Sequence, residues 1–198
     1  MKKLLFLLSL FVASANASIV TYTDKAAWVA ATGTTSLYDF NSDASGSFTS
    51  KNFGDFNAAL ANQSGSFLPT ITNNGELKLQ TWNQASVLEL TFNSSLSAFG
   101  FDWRNTDPTN DKIELNILGE TFVFGPSRSS GFFGLTSTVL FNSLGLSDSA
   151  GNGGALTSAY LDNFRYGDSV SAVPVPAALF LFAPALLGFL GFRRKAKA

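Results

Sequence analysis

The sequence predicts an all-β fold, an antiparallel β-sandwich of jelly-roll-like form, with one short N-terminal helix and a C-terminal transmembrane helix. Three observations carry that prediction. Apolar and polar residues alternate with period two over short runs, as in Leu88, Leu90 and Phe92 around Glu89 and Thr91. Stretches rich in Ser, Gly, Asn and Asp, clearest at Asn41–Ser47 and Asp148–Gly154, separate such runs. Finally, both ends of the 198-residue chain are apolar and basic, whereas residues 18–172 hold seven bases and all fourteen acids.

The first element is an address. Lys2 and Lys3 precede the apolar run Leu4–Val12, and Ala15 and Ala17 supply the small residues of a cleavage site before Ser18. The run is too short to span a bilayer, so residues 1–17 read as a signal peptide for signal peptidase. Next, Asp24 and Gly33 bracket Lys25–Thr32 as a short helix with an Asp N-cap and a Gly stop, and Trp28 is its core anchor.

Strands follow. Phe99, Phe101 and Trp103 alternate with Gly100 and Asp102, and Ile113, Leu115 and Ile117 alternate with Glu114 and Asn116. Gly119-Glu120 is expected to turn the chain into Thr121–Phe124. Further strands are expected at Ser18–Thr23, Leu37–Asn41, Ser66–Thr72, Glu76–Thr81, Phe132–Phe141 and Ala159–Tyr166. Gly131-Phe132-Phe133-Gly134 reads as a tight bend between buried strands. Roughly nine short strands at this spacing make one sandwich over residues 18–167, with a linker at 168–172.

The last segment, residues 173–198, runs uncharged from Val173 to Phe192 and closes on the basic stop Arg193, Arg194 and Lys195. Residues 177–192 would form roughly 24 Å of transmembrane helix, with the basic end cytoplasmic and the acidic domain outside.

Composition excludes much chemistry. With no Cys and no His, imidazole and thiolate catalysis are absent, as are ordinary zinc, haem and iron–sulfur sites. The acidic middle argues against a nucleic-acid partner. Trp82 and Trp103 are candidate stacking platforms for sugar rings, although Trp103 shares its register with the core residues Phe99 and Phe101. Asp102 and Arg104 flank Trp103 on the opposite strand face, beside the loop 105–111. Asp107, Asn110 and Asp111 in that loop offer oxygen ligands for a structural Ca²⁺, with Asp162 a further candidate. No other cofactor is indicated, and no carboxylate pair stands out for glycoside hydrolysis.

The tail carries a resemblance. Val173, Pro174, Val175, Pro176, Ala177 and Ala178, then the apolar helix and the basic cluster, resemble a PEP-CTERM sorting signal, closest to the variant reading Val-Pro-Leu-Pro-Ala. Val175 stands where Glu occurs in the founding motif. The resemblance implies an exosortase substrate of a Gram-negative, exopolysaccharide-making bacterium. The precursor would be anchored in the inner membrane by the tail and then released or attached at the cell surface. Tyr38-Asp39-Phe40, the segment Ala98–Trp103, Gly131–Gly134 and Leu161–Phe164 resemble uncharacterised exported domains that precede such tails, and more weakly jelly-roll carbohydrate-binding modules. The expected function is a non-enzymatic surface or matrix protein associated with exopolysaccharide or biofilm. The alternatives are a lectin-like carbohydrate-binding module and a small glycan-processing enzyme.

Overall fold

Asp24 opens the helix as expected, its Oδ1 accepting from the Ala27 N–H at 2.7 Å. The computed structural model describes residues 18–61, 68–82, 86–106, 108, 111–148 and 155–169. Helix α1 spans Lys25–Ala31. It does not end on Gly33. Thr32 already has extended geometry (φ -110°, ψ 152°), and the chain passes straight into strand β2, Thr32–Tyr38. The strand expected at Leu37–Asn41 therefore lies earlier, and Phe40 instead sits at a φ of 56° with its ring buried.

The remaining strands are β1 (Ile19–Tyr22), β3 (Gly46–Ser47), β4 (Ser50–Asn52), β5 (Phe56–Ala61), β6 (Thr70–Ile71), β7 (Leu77–Trp82), β8 (Val87–Asn105), β9 (Ile113–Ile117), β10 (Glu120–Phe124), β11 (Ser129–Asp148) and β12 (Ala155–Ser169). All pair antiparallel, in the order β10-β9-β11-β8-β12-β7-β6-β3, with β1 on β11, β2 on β12, and β5 between β4 and β8. The Gly131–Gly134 segment is no bend. It runs inside β11, paired residue by residue with Trp103 to Gly100 of β8. The β9–β10 turn sits one residue earlier than expected, at Leu118-Gly119, whose φ values of 52° and 82° fit the two positive dihedrals of a type I′ turn.

The sheet folds over on itself. Strands β8 and β10 are three places apart, about 14 Å in a flat sheet, yet the rings of Phe101 and Phe124 are 5.7 Å apart. Register shifts in β11 between Thr136 and Ser143 mark where it departs from a regular ladder. One main core fills the fold, with Phe56, Phe92, Phe99, Phe101 and Phe164 linked through a chain of ring contacts. Each ring of that size contributes roughly 1.5–3 kcal/mol on burial, and ring pairs at such distances add about 0.5–1.5 kcal/mol.

A second, smaller core lies on the outer face of the same strands. Trp28, Ala98 and Phe132 pack there with Tyr22, and the Trp28 Nε1–H donates to the Leu135 carbonyl at 3.0 Å. Trp28 is thus the anchor that the sequence suggested, holding α1 against β8 and β11. Strand β12 runs to Ser169, beyond the start of the expected linker, and pairs there with Thr32. Among the described residues no helix is long and apolar enough to cross a membrane. The expected signal peptide, sorting motif, tail helix and basic stop lie outside them.

Candidate functional site

The pleat of the sheet decides which side chains face solvent. In β7, Lys78 lies between the buried Leu77 and Leu79, and in β12 Tyr160 lies between the buried Ala159 and Leu161. In β8, Asp102 and Arg104 point away from Phe101 and the main core. Register then aligns these outward residues. Arg104 stands opposite Ser130 on one side and Tyr160 on the other. Tyr160 stands opposite Lys78, Lys78 opposite Thr70, and Thr70 opposite Ser47. The result is one row across six strands, Ser130, Arg104, Tyr160, Lys78, Thr70 and Ser47. At about 4.8 Å per strand it extends roughly 24 Å.

The row is pre-set by its own contacts. The Arg104 guanidinium lies 4.0 Å from the centre of the Tyr160 ring. Its Nη2 donates to both Glu76 oxygens, at 2.9 and 3.0 Å. The Lys78 ammonium approaches the same ring at 6.0 Å. Two cations thus attend Tyr160, a cation–π arrangement that fixes the ring. At the far end, the Ser47 and Thr70 hydroxyls are 2.8 Å apart.

A second, acidic row runs beside it. Phe132 pairs with Asp102, and Asp102 with Asp162. Both Asp102 oxygens accept from the Lys25 ammonium, at 2.9 and 2.7 Å, and Arg165 Nη1 lies 3.6 Å away. These ion pairs tie α1 and β12 to β8. Burial pushes the Asp162 carboxyl above its ordinary pKa, a shift opposed by the Asn163 N–H and helped by Glu76, Asp102 and Asp39 nearby.

Where the basic row ends, Arg104, Asn105, Thr106, Arg128, Ser129 and Ser130 line an open cleft of about 340 Å³. Its floor is rigid. Asn105 is fully buried, and its Nδ2 donates to the carbonyls of Asp111 at 2.9 Å and Gly125 at 2.7 Å.

Of the residues that the sequence singled out, Asp102 and Arg104 belong to this face. Trp103 does not. It points to the opposite side, half-buried against the main core, and is 6.2 Å from the Phe124 ring. The core reading of Trp103 fits this position. Trp82 ends β7 opposite Ala155, and its side chain lies outside the described part of the structure. Asp107 and Asn110 also lie outside it, while Asp111 is fully buried. Among the described residues no group of three or more acidic side chains is placed to hold a metal ion. Sequence reasoning missed Tyr160, Lys78 and the Arg104–Glu76 pair. Each is the outward member of an alternating run, but only strand pairing brings them into one row.

No family model matches the chain, and no curated protein matches it. Among solved structures, it overlaps a CBM29-2 mutant solved to probe ligand recognition by family 29 carbohydrate-binding modules. That overlap has 14% identity and a TM-score of 0.38, covering 72% of this chain and 99% of that one. Another mutant of a family 29 module overlaps at 15% identity and a TM-score of 0.37, covering 72% and 99%.

Proposed function

We propose that this domain is a non-catalytic glycan-binding module of jelly-roll-like form, borne on an exported protein, and that the basic–aromatic row is its binding face. The observation that carries the reading is the unbroken alignment from Ser130 to Ser47. Sugars present hydroxyls along an extended chain, and a shallow polar track of fixed hydroxyl, guanidinium and phenol groups matches that shape. Arg104 and Tyr160 are already ordered by Glu76 and by each other, so binding loses little side-chain entropy. Of the carboxylates beside the track, Glu76 is paired with Arg104, Asp102 with Lys25 and Arg165, and Asp162 accepts from Asn163. That supports a binding role over a hydrolytic one.

In this reading the protein reaches the cell exterior through its leader, is processed by an exosortase at the tail, and holds exopolysaccharide in a surface or biofilm matrix. A glycan array with the purified protein, with and without Ca²⁺, tests the binding. Retention of an oligosaccharide that is lost in Tyr160→Ala supports it, and an array blank in both conditions overturns it. The sorting step is tested separately by replacing Pro174 and Pro176 with Ala and fractionating cells. Unchanged tail removal excludes exosortase recognition of that motif.

A further inference from the structure

The cleft at the Ser130 end of the row adds a ligand class to the glycan-binding reading, on which this inference rests. Arg104, Arg128 and Arg165 are the three arginines of the acidic middle segment. Two of them, Arg104 and Arg128, line this one cleft. Its remaining described lining is two serines, a threonine and an asparagine, with no acid among the described residues.

Both arginines are presented, not merely exposed. Arg104 is held from one side by Glu76 and lies on the Tyr160 ring. Arg128 projects from a tight turn at a φ of 55°, a conformation unfavourable for a residue with a Cβ. The Ser129 hydroxyl, donating to the Pro126 carbonyl, closes that turn. A planar guanidinium recognises a carboxylate or sulfate through paired N–H donors. The Arg128 guanidinium therefore offers charge for an anionic substituent, and the Arg104 N–H groups not taken by Glu76, with the serine hydroxyls, offer partners for it and for the adjoining ring hydroxyls. The cleft volume falls within the range of small-ligand sites.

We infer that this cleft recognises an anionic sugar unit, carboxylate- or sulfate-bearing, and so directs the row toward acidic polysaccharides. The domain's net acidity makes the local arrangement decisive. A polyanion is favoured where Arg104 and Arg128, with Lys78 further along the row, offset the surrounding acids.

The test is calorimetric titration of the purified full-length protein with three probes. These are an oligouronate, the same oligouronate as its methyl ester, and a sulfated oligosaccharide. The expected result is that the acid, or the sulfated chain, binds at least tenfold more tightly than the uncharged ester. Which of the two is tighter identifies the anion. Arg128→Gln should reduce that preference at least fivefold, lowering affinity for the anionic probes more than for the ester, and raising NaCl from 50 to 500 mM should weaken the anionic probes far more than the ester. Equal affinity for the ester and both anionic probes overturns the inference and leaves the glycan-binding reading standing. Binding of none of the three, together with a blank glycan array, overturns both. Loss of all binding in Arg128→Gln, ester included, also counts against a charge-selective cleft.

Discussion

Gly100 of β8 stands directly opposite Gly134 of β11, and the Trp28 indole lies across the pair. A Cβ on Gly134 would come within 2.6 Å of Trp28 Cδ1 and 2.7 Å of Phe132 Cε1, and one on Gly100 within 2.8 Å of Phe132 Cζ. Absent side chains on the sheet make the seat into which the helix docks.

Gly134→Ala is therefore expected to destabilise the fold by about 1–3 kcal/mol through overpacking, lowering the melting temperature by roughly 2–4 °C per kcal/mol. Denaturation of the Gly134→Ala, Trp28→Ala and double variants checks this. The glycine substitution should cost markedly less once Trp28 is gone, and additive costs would refute the seat.

Leu118 is expected to be a stabilising target. It is an exposed leucine at a φ of 52° in the β9–β10 turn, where a left-handed conformation costs roughly 1–2 kcal/mol for most residues. Leu118→Asn, which gives the Asn-Gly pair favoured in type I′ turns, should raise stability by about 1 kcal/mol in urea denaturation.

Asp162 sets a pH dependence. Its carboxyl pKa is raised by burial above the ordinary 3.8, so the folded state holds the proton more tightly than the unfolded chain. The group's contribution is most favourable below 3.8 and is lost as pH rises through the folded value. Asp162→Asn, which keeps an acceptor for the Asn163 N–H, should be more stable than the parent at pH 7. The gain should shrink toward pH 4 and be absent at pH 3, as followed by thermal melts.

The Tyr166 phenol donates to Asp55 Oδ2 at 2.9 Å, and burial with that hydrogen bond raises its pKa. Tyr166→Phe should cost about 1.5–3 kcal/mol, the worth of a hydrogen bond to a charged acceptor. For the parent, the same raised phenol gives stability that is intact below pH 10 and falls as the pH climbs above it. Absorbance titration of tyrosinate, compared between the parent and Tyr166→Phe, checks the assignment.

Trp103 and Tyr160 separate core from site. Trp103→Ala should lower stability by about 3–5 kcal/mol or, given its partial exposure, somewhat less. Glycan affinity of the folded fraction should be kept. Tyr160→Ala should do the reverse, with binding lost and the melting temperature little changed.

How much of this was legible in the sequence depended on how local the cause was. The Asp24 cap, the alternation in β8 to β10 and the burial of Trp28 follow from neighbours along the chain. Strand β5 was missed because Asn57, Ala58, Ala59 and Ala61 carry little β preference, and its place is set by pairing with β8. Gly131–Gly134 looked like a bend because glycine usually weakens strands. In the fold those glycines make room for Trp103 and Trp28. The basic row was hidden because Lys78, Arg104 and Tyr160 meet only through register between strands distant in sequence.

The placement of β12 also constrains the order of events in the chain's life. The last described strand lies inside the sheet, paired with β8, β7 and β2 at once. Until residues near 169 have emerged from the ribosome, those three strands lack a common neighbour and the core lacks Leu161, Phe164 and Tyr166. Such long-range closure is slow. The closing of this core is therefore tied to one late strand, so β12, not the helix or the β9–β10 hairpin, completes the fold.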